Sequence, residues 1–200
     1  MEADWEIEIG ADAPMIDVYW AGFVDLRVSS EPARLFPETV EVPALAVMLM
    51  RLNAPSSPVW TSKCDLWQPE TFDPDELDAT PEEGSAAIAC YVDLLARTNQ
   101  QWLSPVSAVG WCKSVCSRVH TSPLRCSRAD LIIRRALQAS DNGSEGLKVA
   151  ITAYLTACGP THVVAVANLS SALTVFADSI HPLDFPAAAV SKLQWESVGE

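Results

Sequence analysis

Residues 128–159 read RADLIIRRALQASDNGSEGLKVAITAYLTACG, and the fold class turns on how this stretch is divided. From Arg128 to Ala139 apolar residues dominate, with Leu131 and Ile133 spaced to share one face. From Leu147 to Ala157 the alternation is stricter, with Val149, Ile151, Ala153 and Leu155 on one side. A period of two is the mark of a strand, because successive side chains on a pleated backbone point to opposite faces. Between the runs lies Asp141-Asn-Gly143, a sequence that accepts the positive φ values of a tight hairpin turn. The stretch therefore predicts two antiparallel strands.

Working outward, Thr161 to Ile180 places Val163, Val166, Leu169, Leu173, Phe176 and Ile180 at helical spacing. The order strand, strand, helix recurs upstream. Val59–Trp67 and Ala87–Arg97 read as strands, the first with Trp60, Cys64 and Leu66 inward and the second with Ile88, Cys90, Val92 and Leu94 inward. A helix from about Ser104 to Val119 follows them. At the N-terminus Trp5, Ile7 and Ile9 alternate with Asp4, Glu6 and Glu8, and a second strand is expected from Met15 to Val28, bent near Gly22. The helix formers of 43–52 follow, behind a proline suited to a first turn. Three successive strand-strand-helix units predict an α+β protein: a mainly antiparallel sheet layered with helices, in a single domain spanning 1–200. An acidic loop, 68–83, and a C-terminal tail, 182–200, stand apart from the units. The tail, which includes 186–195, would either form a last short helix or lie across the surface.

The composition is that of a folded chain, with 49% hydrophobic and 20% charged residues over 200 positions. No run reaches the roughly 18 consecutive apolar residues of a membrane span. The N-terminus is acidic and alternating where a secretory signal would be basic and then continuously apolar. The expectation is a cytoplasmic protein that does not bind membranes. Six cysteines, at 64, 90, 112, 116, 126 and 158, sit mostly among apolar neighbours and read as reduced thiols. The formal charge of −13 argues against nucleic-acid binding, which needs a basic field. That charge is uneven: residues 1–100 carry 19 acidic and 5 basic side chains, and residues 101–200 carry 7 and 8.

Cys112, Cys116 and His120 recur every four residues. On a helix the outer two stand about 12 Å apart, too far for one zinc ion with bonds of about 2.0–2.3 Å. Val109, Cys112, Cys116 and Val119 also form a stripe that would face a core, so the reading is packing, with no metal and no cofactor. Were a metal present, Cys126 would be the added ligand to Cys112 and Cys116. For catalysis, Cys158 lies just before a helix expected to carry His162 in its first turn, which is where a thiol finds activation. No phosphate-binding loop, dinucleotide glycine pattern or nucleophile elbow occurs in the chain.

The loop 68–83 holds seven carboxylates and no base. Asp73, Asp75, Glu76 and Asp78, with Phe72 and Leu77 as apolar anchors, suit a docking surface for a basic protein partner. Tyr19, Trp67 and Tyr91 fall opposite the inferred core face, where outward aromatics suggest a ligand groove or self-association. The function expected is therefore binding, through the acidic loop, the aromatic sheet face or both. The rival is a small enzyme or ligand-binding protein with a pocket between sheet and helices. Its polar groups would come from Tyr91, Asp93, Arg134, Arg135 and His162.

Overall fold

A computed structural model describes residues 1–97, 104–139 and 145–180. The Asp141-Asn-Gly143 turn, Trp102 and the tail 182–200 with its Trp195 lie outside the described residues. The elements run β1 (Glu2–Glu8), β2 (Met15–Asp17), α1 (Pro37–Glu41), α2 (Pro43–Asn53), β3 (Val59–Trp67), β4 (Ala86–Ala96), α3 (Pro105–Val119), β5 (Ser127–Ala139), β6 (Glu145–Gly159) and α4 (His162–Ile180). Single 3-10 turns occur at Glu31–Arg34 and Asp75–Leu77. The strands make one sheet in the order β1-β5-β6-β4-β3, with β2 also on β5. The protein is α+β.

The second and third units are hairpins as expected: β3 pairs antiparallel with β4, and β5 with β6. The first unit is not. Both β1 and β2 run parallel to β5, with Trp5 opposite Leu131 and Ile16 opposite Ala136. Parallel neighbours need a long crossover, and the intervening chain supplies it. The strand expected to reach Val28 ends at Asp17, and residues 18–30 are turns, including a left-handed Gly22 (φ +96°) against the Trp20 ring.

All the longer helices lie on one face of the sheet. Leu45, Leu49 and Leu52 of α2, Trp111, Cys112 and Val115 of α3, and Leu169, Leu173 and Phe176 of α4 form one cluster. Ile88, Cys90, Val92 and Leu94 of β4, Leu131 and Ile133 of β5, and Ile151 and Leu155 of β6 complete it. Local chemistry sets the helix starts. Ser104 caps α3, its hydroxyl accepting from the Ser107 amide while the Ser107 hydroxyl accepts from the Ser104 amide, and Pro105 opens the first turn. A Cβ on Gly159 would lie 2.7 Å from the Ala165 backbone nitrogen, so only glycine lets α4 fold back onto β6. By length and composition α4 could cross a membrane, but its Leu169–Phe176 stripe is spent on this core. Val163, expected on that stripe, is 77% exposed in the first turn of α4.

Candidate functional site

The opposite face carries no helix among the described residues, and its two ends are closed by different means. At one end Ile16, Val18 and Phe23 pack over Trp60, Leu95, Ala136 and Ala150. Trp60 is thus on the other face from Cys64 and Leu66, contrary to the sequence expectation. Thr61 faces Leu94 while Cys64 faces Val92, so β3 carries an extra residue that inverts its alternation. Tyr19, placed by the sequence on a strand, sits in the turn after β2, stacked on Trp60 and edge-on to Phe23.

At the far end the acidic loop folds back over the sheet. Leu77 and Ala79 are buried against Ala87 and Cys158, with Phe72 and Cys126 beside them. Leu77 is therefore an internal anchor, unavailable to a partner, because the 3-10 turn Asp75–Leu77 points it inward. Asp73, Asp75 and Glu76 stay exposed, while Asp78 and Glu83 pair with Arg125, each at 3.2 Å. The acidic loop and the aromatic sheet face, read from sequence as separate surfaces, adjoin.

Between these two ends lies an open trough three residue rows deep. Register places Asp65, Tyr91, Tyr154, Asp130 and Asp4 across the middle row, with Trp67, Ala89, Thr156 and Arg128 on one side and Asp93, Thr152, Ile132 and Glu6 on the other. Trp67, Tyr91 and Tyr154 form a closed aromatic triad with ring centroids 5.7–6.3 Å apart. Such spacing is that of offset and edge-on pairs. Tyr154 is the member the sequence reading missed. Its signal was present, since strict alternation through β6 puts residue 154 opposite the Ile151–Leu155 face.

The arginines within the trough are already engaged. Arg134 holds Glu8 at 2.9 Å, donates to the Tyr154 hydroxyl at 3.3 Å, and lies over that ring. Arg128 grips Asp130 at 2.8 Å. Lys63 is exposed, its ammonium 5.9 Å from the Tyr91 ring centroid, and the neighbouring tyrosine holds its pKa up. Asp93 is 6% exposed, and burial raises its carboxyl above the ordinary value. The Thr152 hydroxyl, donating to Oδ1 at 2.7 Å, opposes that shift, as do the charges of Arg134 and Lys63. Burial also raises Asp130, against the pull of Arg128. Near the β1 edge, Asp4, Trp5, Glu6, Arg128, Asp130 and Leu131 line a recess of about 160 Å³.

Of the polar groups proposed for a pocket, Tyr91, Asp93 and Arg134 share this trough. Arg135 does not, since it reaches the Ala11 and Ala13 carbonyls at 3.3 and 3.4 Å. His162 lies 3.5 Å from Glu41, and no hydrogen bond joins it to Cys158 among the described residues. A second cleft, of about 240 Å³, opens between the bulged part of β3 and the chain before α2. Trp20, Val24, Leu26, Phe36 and Leu49 form its apolar wall and Glu38 and Lys63 its charged rim. None of the five named polar candidates lines it.

The helical cysteines are core residues. Cys112 is fully buried, and the Cys116 thiol donates to the Asp4 carbonyl at 3.5 Å; burial pushes both thiols up, that of Cys116 to about 11. His120 instead accepts the Ala3 amide at 3.2 Å. Cys126 cannot complete a set with Cys112 and Cys116, because it packs on the other face of the sheet. Among the described residues no group of three or more His, Cys, Asp or Glu side chains is placed to hold a metal ion.

Fold and site together define an α+β protein with a one-sided sheet and a polar, aromatic trough on its uncovered face. Compared with protein families, with curated proteins and with solved structures, the chain matches none.

Proposed function

We propose that the protein works by binding a basic segment of another protein in the trough, with the Trp67–Tyr91–Tyr154 triad as its aromatic floor. The observation that carries this reading is that the trough's two arginines are held by carboxylates within the face, while most of the carboxylates on its rims have no ion-pair partner among the described residues. Arg134 pairs with Glu8, and Arg128 with Asp130 and, at 3.8 Å, with Asp4. Glu6, Asp65, Asp73, Asp75 and Glu76 are exposed on its rims. Such a field attracts arginine and lysine and rejects acidic competitors. An arriving guanidinium has aromatic faces to stack on, an interaction worth about 0.5–2 kcal/mol according to how far it is desolvated.

The test is chemical-shift mapping with an extended arginine-rich peptide and an otherwise identical glutamate-rich one. The arginine peptide is expected to shift amides at Trp67, Tyr91 and Tyr154, and its affinity to fall about tenfold or more in Trp67→Ala, as for an interface hot spot. Binding should weaken with salt, as exposed charge pairs do. Shifts confined to other surfaces, or an affinity untouched by Trp67→Ala, would remove the reading.

A further inference from the structure

Two cysteines that the sequence offered for different roles, Cys126 as a spare metal ligand and Cys158 as a nucleophile, turn out to face each other. The β5–β6 ladder ends at Ser127 opposite Ala157. One step beyond, the Cys158 amide donates to the Cys126 carbonyl at 2.9 Å, which continues the pairing. Directly opposed residues of an antiparallel pair have Cα atoms about 4.5–5.5 Å apart, inside the span of about 4.4–6.8 Å that a disulfide bridges. The two side chains also lie in one small apolar cluster beneath the loop. Cys126 also holds a left-handed backbone (φ +58°), which is costly for any residue but glycine and tends to mark functional positions. No other thiols are so placed. Cys64 is opposite Val92 and only diagonal to Cys90, and Cys112 and Cys116 are a helical turn apart in the core.

We propose that Cys126 and Cys158 are a dithiol–disulfide site, oxidised by peroxide, that links the two central strands beneath the anchor of the acidic loop. In the first step the Cys126 thiolate attacks one peroxide oxygen and the O–O bond breaks. The departing hydroxide takes up a proton as water, leaving Cys126 as a sulfenic acid. In the second, the Cys158 sulfur attacks the Cys126 sulfur, the S–O bond breaks, and the Cys158 proton leaves with that oxygen as a second water. Two thiols lose two electrons and two protons, and one peroxide becomes two waters.

The order follows from exposure. Cys126 is half-buried and reachable, and Cys158 is fully buried. Burial raises the Cys126 thiol, with Glu83 adding to the effect. Arg125 and the neighbouring Cys158 thiol work the other way, favouring a thiolate at this sulfur. The same contact helps hold the Cys158 proton, its thiol pushed up to about 11 mainly by burial. Reaction should therefore quicken as pH rises, the thiolate being the nucleophile. The product reports to the loop because Leu77, Ala79 and Phe72 rest on this pair.

The experiment treats reduced, full-length protein with one equivalent of hydrogen peroxide, alkylates the remaining thiols and maps peptides by mass. The expected result is one intramolecular link between Cys126 and Cys158, with the other four cysteines of the six alkylated. Cys126→Ser, a change at a partly exposed position, should slow peroxide consumption at least tenfold. Cys158→Ala should leave a sulfenic acid at Cys126 that dimedone traps. Circular dichroism checks that both variants fold. In the linked protein, amide exchange at Leu77 and Ala79 should slow. A first link between any other pair, wild-type consumption in Cys126→Ser, or an oxidised Cys126 beside a free Cys158 would overturn the dithiol site. Unchanged exchange in the linked protein would overturn its connection to the loop.

Discussion

The two faces of the one sheet have been built for different neighbours. Along β4, Ile88, Cys90, Val92 and Leu94 point to the helices and are fully buried, while Ala89, Tyr91 and Asp93 point away. Along β6 the same split separates Ile151, Ala153 and Leu155 from Thr152, Tyr154 and Thr156. A sheet covered on both sides would show continuous apolar runs. This one keeps hydroxyls, carboxylates and guanidiniums on the face without helices, arranged in a network of its own. On the proposed reading, stability and recognition would fall on opposite sides of the same strands.

The sharpest way to break this contrast is to remove a large side chain from each face. Phe176 of α4 is fully buried in the main cluster, and Phe176→Ala should cost about 3–5 kcal/mol through lost transfer energy and the cavity left behind. Trp67→Ala removes a larger ring that is 38% exposed, and should cost no more than about 1.5 kcal/mol, chiefly its aromatic contacts. Urea unfolding of both variants checks the pair. Equal losses would mean that the open face is a second core.

A smaller effect is expected where the covered side meets its edge strand. Asn53, at the end of α2, donates from Nδ2 to the Leu49 carbonyl (2.8 Å) and the Thr61 hydroxyl (2.7 Å), and its Oδ1 accepts the Thr61 amide at 3.1 Å. All of this is buried beside the β3 bulge. Asn53→Ala strands those partners and should cost about 1–3 kcal/mol. Asn53→Asp separates geometry from donor chemistry: it keeps the acceptor for Thr61 and loses both donations, and its denaturation midpoint should stay well below that of the native chain.

What was legible in the sequence follows the range of the interactions. The α2, α3 and α4 helices and the β3, β4, β5 and β6 strands rest on periodicity within a dozen or so residues, and proline, serine and the Gly159 turn punctuate them. The pairing of β1 and β2 with β5 is a contact across more than a hundred residues, and local alternation carries no information on it. Trp60 was misplaced because one inserted residue inverts every later side chain of β3, and no residue at 62 or 63 announces a bulge. Leu77 read as a surface anchor because its neighbours are acidic, yet an apolar side chain within a charged run is equally what pins a loop to the body. At the site, Trp67, Tyr91, Asp93 and Arg134 could be named from strand parity. Their meeting with Tyr154, Thr152 and the acidic loop depended on strand order.

The smallest effect, and the one most specific to the open face, concerns Asp93. Its carboxyl binds a proton more tightly in the folded chain than its ordinary value of 3.8. Between that value and the raised one the native state holds the extra proton. Stability therefore falls as pH rises across this window, and the contribution is gone once pH passes the folded value. Asp93→Asn keeps the shape, can still accept from Thr152, and has no charge to bury. The variant should equal the native chain well below the ordinary carboxyl value of 3.8, gain on it as pH rises through the window above that value, and show a flatter profile of urea midpoint against pH. Asp130, raised in the same direction by burial, would leave a residual slope of the same sign. If the two profiles were parallel, Asp93 would be solvated, and the trough would be wetter and less pre-organised than its hydrogen bonds imply. If they diverge as expected, the native chain keeps a buried carboxylate on its open face at a standing cost in stability, as the proposed basic ligand would require of a preformed anion.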